Sequence, residues 1–364
     1  MTMNIENLIT NLQRCKELPN FFRDKMDVVA AKVMAEMTKE ARNFLCHELD
    51  DIKHTEDQVK AVIDIFPESL SMVNDRYGRL PVQNAAYHPD RVSFIPLLAK
   101  EGLRLNAGSE ESRGGLLYGR ENTLQALVMK EDDNSEVTAK YEKVLEDLHE
   151  MGLLKKGDIK KFELLYYALN SSSHQRFEML ADWDPDSLIT TSLPNGKPLL
   201  RHSKRTCETV LTSGMKHFPE RLGFLFRKYK GETICETYIE RFGEIKAMSI
   251  ICRCIPPAEN HLLIHRAVEI VPHLEDKLIK YYPDEAFKKD ATGRTLPQVK
   301  FHAQLRNGTQ TFDNNASYFV NARDDEVEAK DPRSGLFPFM LAASNNRSDL
   351  DAVYYLLKRC PQVL

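Results

Sequence analysis

The stretch SGLFPFMLAAS, Ser334 to Ser344, is an apolar run with a proline at its centre. Proline cannot donate to a strand ladder and breaks a helix interior, so Pro338 belongs in the first turn of a helix, where an N–H would go unpaired anyway. Gly335 then makes the turn, Phe337 and Pro338 open the helix, and Leu341, Ala342 and Ala343 form its small inner face. The fold turns on whether the chain repeats this construction.

It does. In YGRLPVQNAAY (77–87), Gly78 carries Pro81, Ala85 and Ala86 at the offsets that Pro338, Ala342 and Ala343 hold from Gly335. Gly119 opens GRENTLQAL with Ala126 at the matching place, and Asn260 opens NHLLIHRAV with Ile264, His265 and Ala267. Gly196, Gly231 and Gly293 supply further turns, with Ser203, Tyr238 and Lys300 replacing the small apolar residue. FELLYYALN (162–170) reads as one more unit that has lost its glycine. These marks recur roughly 30 to 42 residues apart, the range of repeat architectures built from paired helices.

A second mark precedes several of the turns. FPESLSMVNDRYG, DPDSLITTSLPNG, FPERLGFLFRKYKG and YPDEAFKKDATG begin with Pro67, Pro185, Pro219 and Pro283 one residue in, and a proline just past a helix forces an extended exit. Between these punctuation points DRVSFIPLLAKEG, SEVTAKYEKVLEDLHEMG, HQRFEMLADW and DLDAVYYLLKRC place apolar residues at helical spacing. Each unit therefore reads as turn, short inner helix, loop, outer helix and proline stop. The expected class is all-α, because one such hairpin buries its apolar face only by stacking on a neighbour.

At this point the residues resemble the ankyrin repeat, whose turn glycine followed by Thr-Pro-Leu-His-x-Ala is matched best by GRLPVQNAA, HLLIHRAV and GLFPFMLAA. An outer helix closed by aromatic-Pro and an acidic residue, then a Gly-x-x-Pro turn, is similar more closely to the degenerate ankyrin-like proteins multiplied in some unicellular algae. The resemblance covers residues 55 to 364. It implies an ankyrin-like α-solenoid of about seven to eight stacked helical hairpins that binds proteins, and it implies no chemistry. Residues 1 to 54 depart from the pattern. There Phe22, Met26, Val29, Val33, Met37, Ala41 and Leu45 recur at helical spacing and predict an N-terminal helical cap over the end of the stack.

Composition bounds the function. With 50 basic and 54 acidic residues the formal charge is -4, too balanced for a nucleic-acid footprint, and 42% hydrophobic content excludes wholesale disorder. Seven cysteines at irregular spacing read as reduced thiols, no apolar run is long enough to span a bilayer, and the first residues do not form a secretory signal. The expected location is the cytoplasm or nucleus.

Sites follow from the same reading. CRCIPPAENHLLIH gathers Cys252, Cys254, His261 and His265, but structural zinc sites more often show a Cys-x2-4-Cys spacing, and His265 sits where the resemblance puts a turn-stapling histidine. The bland reading makes the cysteines small buried hydrophobes. No nucleophile elbow, metalloprotease helix, P-loop or dinucleotide fingerprint is present, RGGLLYGR (113–120) lacks the strand that phosphate binding requires, and RDDEVEAKD (323–331) reads as a solvated face. No enzyme activity and no cofactor are expected. Arg79, Arg120, Lys197 and Arg294 each follow a turn glycine, which predicts a basic edge that favours an acidic partner. The expected role is a non-catalytic adaptor binding a partner protein through its concave face and turn tips. The alternative is a permanent scaffold subunit of a larger assembly.

Overall fold

Proline and glycine punctuate this chain, and its secondary structure follows them. The computed structural model describes residues 20–74, 76–105, 112–130, 134–171, 173–190, 204–229, 231–257, 261–307, 319, 322–344 and 350–361, and it is helical almost throughout. Contacts divide the chain into two units, Met1–Thr191 and Ser192–Leu364.

In the first unit α1 (Asn20–Asn43) runs into a π turn, Phe44–Glu48. There follow α2 (Glu56–Ile65), α3 (Pro81–Ala85), α4 (Ile95–Arg104), α5 (Thr123–Met129), α6 (Ser135–Glu150), α7 (Lys156–Lys161), α8 (Leu164–Asn170), α9 (His174–Trp183) and α10 (Asp186–Thr190). The pairs α3/α4, α5/α6 and α8/α9 are hairpins. The short helices α3, α5 and α8 touch in series, and so do α2, α4 and α6. Ala85, Ala86, Leu98, Leu124, Leu127, Leu145, Leu165 and Phe177 are sealed between them, each large side chain contributing about 1.5–3 kcal/mol by leaving water.

The second unit begins with α11 (Lys204–His217) and a two-residue antiparallel ladder, β1 (Lys228–Tyr229) and β2 (Glu232–Thr233), turning at Gly231. This ladder is the departure from an all-helical chain among the described residues. Then come α12 (Ile234–Phe242), α13 (Glu244–Cys254), α14 (Leu263–Ile270), α15 (Glu275–Ile279), α16 (Leu296–Asn307), α17 (Asp324–Val327), α18 (Pro338–Ala343) and α19 (Leu350–Lys358). Here α12/α13, α14/α15 and α18/α19 pair, while α11 packs on α13 and α14 on α16. A larger core around Met248, Leu263, Ile264 and Tyr282 and a smaller one around Phe301, Leu341 and Leu356 fill it.

The punctuation works by a common local chemistry. Phe66, Asp184, Phe218, Val271 and Tyr282, each preceding a proline, take φ between −127° and −142°, out of the helical region, and the proline opens a new turn. Asn74, Asp290 and Asp331 close the hairpin tips before Gly78, Gly293 and Gly335. Their N–H groups donate to the carbonyls of Arg79, Arg294 and Leu336 at 2.8, 2.9 and 2.8 Å, and their side-chain oxygens accept from backbone N–H groups within the same turn. The glycines sit at φ 62°, 85° and 70°, where a side chain would be strained.

Pro338 opens α18 with Phe337 as its cap, and Leu341 and Ala342 are buried, but Ala343 faces solvent. The unit without a turn glycine replaces it with Glu163 at φ 53° immediately before α8. The cap forms as a helix, yet the expected inward face holds only at its last turn. Ala41 and Leu45 are buried, whereas Met26, Val29, Val33 and Met37 are exposed, Val29 by 60%. The contacts explain it: α1 packs on the turn Pro67–Ser71, Arg42 in its last turn donates to the Val73 carbonyl, and just beyond its end the Cys46 carbonyl accepts from Asn84 and from Arg91. Phe22's side chain lies outside the described residues. These contacts join the N-terminal helix to the first unit, Met1–Thr191.

Candidate functional site

Two hairpin tips of the first unit, the turn at Asn74–Arg79 and the one at Tyr118–Asn122, are tied together by a buried side chain. Gln83 accepts from the Leu80 N–H at 2.9 Å, capping α3, and its Nε2 donates to the Tyr118 carbonyl at 2.6 Å. The device recurs. Gln125 caps α5 by accepting from Asn122 and donates to the Phe162 carbonyl at 3.2 Å, and Gln298 accepts from Thr295 and donates to the Ala329 carbonyl at 2.9 Å. Each glutamine thus fixes one turn relative to the next.

Between the first two tips lies an open cleft of about 520 Å³, walled by Tyr77, Arg79, Tyr118, Arg120, Glu121 and Tyr167, with Gln83 in its lining. Tyr77 and Tyr118 are 55% and 42% exposed. The Arg79 guanidinium lies 3.7 Å from the Tyr87 ring centroid and 5.2 Å from that of Tyr77, and Arg76 stands 5.1 Å from the Tyr77 ring. Arg76, Arg79 and Arg120 make no ion pair among the described residues, whereas Arg104, Arg113, Arg253, Arg294 and Arg359 all do. Glu121 is the carboxylate in the cleft and accepts from the Tyr87 hydroxyl at 3.5 Å. Burial pushes the Tyr87 phenol up, with Arg79 opposing and Glu121 assisting, and burial likewise raises Tyr167, with Arg120 opposing. Both phenols are therefore protonated donors at neutral pH.

Of the basic positions expected on one edge, Arg79 and Arg120 come together here. Lys197 lies outside the described residues. Arg294 does something else: it is only 5% exposed, its Nε donates to Asp290 at 2.7 Å and its Nη2 to Glu269 at 3.3 Å. Its neighbour at the turn is a carboxylate, so the guanidinium is neutralised locally and buried instead of presented.

The cysteine and histidine residues also separate. Cys254 accepts from the Thr212 hydroxyl at 3.5 Å and faces the Glu208 carbonyl, while Cys252 lies beside the Tyr282 phenol. His265 is buried, and burial lowers its pKa and keeps it neutral. His261 is half-buried at the start of the next turn. No three His, Cys, Asp or Glu side chains gather at metal-binding distance among the described residues. Burial raises the thiols of Cys254, Cys207 and Cys235, the last two to about 11 and about 12, which removes the thiolate a nucleophile needs.

Sequence reasoning passed over the tyrosines and the glutamines. The signal was present: the tripeptide Tyr-Gly-Arg occurs at 77–79 and again at 118–120, and a Gln stands three residues after the cap in LPVQ, NTLQ and TLPQ. The resemblance drew attention to the proline and alanine offsets, and these residues sit between them. Comparison with known proteins adds no relative, since no family model, no curated protein and no solved structure matches this chain.

Proposed function

We propose that this chain is a non-catalytic interaction protein, an ankyrin-like α-solenoid that binds a partner protein through its concave face and hairpin tips inside the cell. The observation that carries this reading is the pair of Tyr-Gly-Arg tips that holds Arg79 and Arg120 on one cleft, neither of them in an ion pair among the described residues. Charges left unpaired on a fixed scaffold are disposed to steer an oppositely charged partner, and a surface already set by buried glutamines incurs little ordering cost on binding. The buried, protonated thiols of Cys207 and Cys235 are in keeping with a structural role for those cysteines.

A permanent scaffold subunit is the second reading, favoured by one observation: α1 leaves Val28, Val29, Val33, Met34 and Met37 exposed along its length. Affinity capture of tagged protein from its own lysate at moderate and high salt, followed by mass spectrometry, separates the two. Salt-sensitive, substoichiometric partners support the adaptor. A stoichiometric partner retained at high salt supports the subunit, and recovery of no protein at either salt overturns both.

A further inference from the structure

The cleft has a chemistry narrower than a basic edge. Arg79 and Arg120 offer guanidinium groups whose planar donor forks match carboxylates in pairs, and stacking on Tyr87 holds the Arg79 plane in place before any ligand arrives. Tyr77 and Tyr118 stand partly exposed beside those charges, and their free ring surface favours an aromatic or apolar side chain in offset or edge contact. Glu121 repels any ligand that carries dense negative charge, such as a run of phosphates, while tolerating carboxylates spaced apart by other residues. The volume, about 520 Å³, is open and accommodates a few side chains of an extended segment.

We infer that the cleft between the Tyr-Gly-Arg tips takes an acidic peptide segment in which carboxylates alternate with aromatic side chains, the carboxylates pairing with Arg79 and Arg120 and the rings packing on Tyr77 and Tyr118. This rests on the interaction reading above and names the chemistry of its partner.

The test uses the full chain and fluorescence anisotropy. The probe is a labelled random copolymer of glutamate and tyrosine; polyglutamate, a lysine–tyrosine copolymer and inorganic phosphate serve as comparators. The glutamate–tyrosine copolymer should bind at low salt and weaken as salt rises, polyglutamate should bind several-fold more weakly, and the lysine copolymer should not bind. Arg79→Glu with Arg120→Glu should lower affinity at least tenfold with unchanged circular dichroism. Tyr77→Ala with Tyr118→Ala should erase the advantage over polyglutamate and leave polyglutamate binding as it was. Arg333→Glu, an exposed charge reversal in the second unit, should change nothing. Equal binding by the wild type and the double arginine variant overturns the inference. So does equal affinity for polyglutamate and the mixed copolymer, or displacement of the probe by millimolar phosphate. If a captured cellular partner is retained by the arginine variant, the cleft assignment fails while the interaction reading survives.

Discussion

The tips at Asn74–Arg79 and Asp290–Arg294 have nearly the same sequence logic and opposite outcomes. Both close on an Asx side chain, turn at a left-handed glycine and continue with arginine into an inner helix. In the second, Asp290 supplies a carboxylate to Arg294, Glu269 of α14 supplies another, and the guanidinium is buried. In the first, the closing residue is the neutral Asn74, so Arg79 receives no carboxylate from its own turn and lies across Tyr87 at the cleft. An aspartate in place of the turn asparagine, together with Glu269, separates a structural arginine from an available one.

The comparison can be broken in order of expected effect. Arg294→Ala should cost about 3 kcal/mol in urea unfolding, because it takes a buried guanidinium away from the half-buried carboxylates of Asp290 and Glu269, whereas Arg79→Ala, losing its contacts with the Tyr77 and Tyr87 rings, should cost under about 1 kcal/mol. Similar losses at both sites would show that the two arginines play one role.

Next comes Asp290→Asn, which turns the second tip into a copy of the first. Stability at neutral pH should fall by about 2 kcal/mol, the scale of a hydrogen bond to a charged group. Its acid response should also flatten. Burial opposes ionisation of Asp290, but hydrogen bonds from Thr292 and Arg294 outweigh it and bring the pKa down to about 2. A folded-state pKa below the unfolded value of about 4 gives stability that is present at neutral pH and lost as pH falls from about 4 to about 2. Melting curves across that range should show the wild type losing more than Asp290→Asn, and parallel curves would refute the assignment.

A smaller effect is expected at the glycines. Gly78→Ala and Gly293→Ala should each cost about 1–2 kcal/mol through the left-handed backbone, since neither added methyl meets a backbone atom closely. A loss well above that at one tip would mean the turns are not equivalent.

Smallest in stability, and most informative, is Asn74→Asp. It should cost about 1 kcal/mol by giving up the donation of Asn74 to Asn84, and it should weaken copolymer binding several-fold by giving Arg79 an internal partner. Unchanged binding would show that the turn carboxylate does not control the arginine.

How much of this was legible in the residues depends on the range of the interaction. The proline stops, the glycine turns and the start of the helix at Pro338 were readable because each is decided within a few residues by sterics and a missing N–H. The left-handed Glu163 was readable only through the spacing of its neighbours. The cap helix was readable as a helix, but its period said nothing about what it would meet, and Met26 to Met37 face out. The basic edge failed at Arg294 because its fate depends on Glu269, a residue of a different hairpin.

The sequence by itself determined where this chain turns, where its helices stop and that its short helices have a small apolar face, since backbone conformation at Pro, Gly and Asx is a local matter. Only the tertiary structure decided which arginine is neutralised, that Cys252 and Cys254 face separate partners, and that Tyr77, Arg79, Tyr118 and Arg120 share one cleft. Those outcomes depend on contacts between residues some 25 to 45 apart in the chain, made only once buried side chains such as Gln83 have locked neighbouring hairpins together.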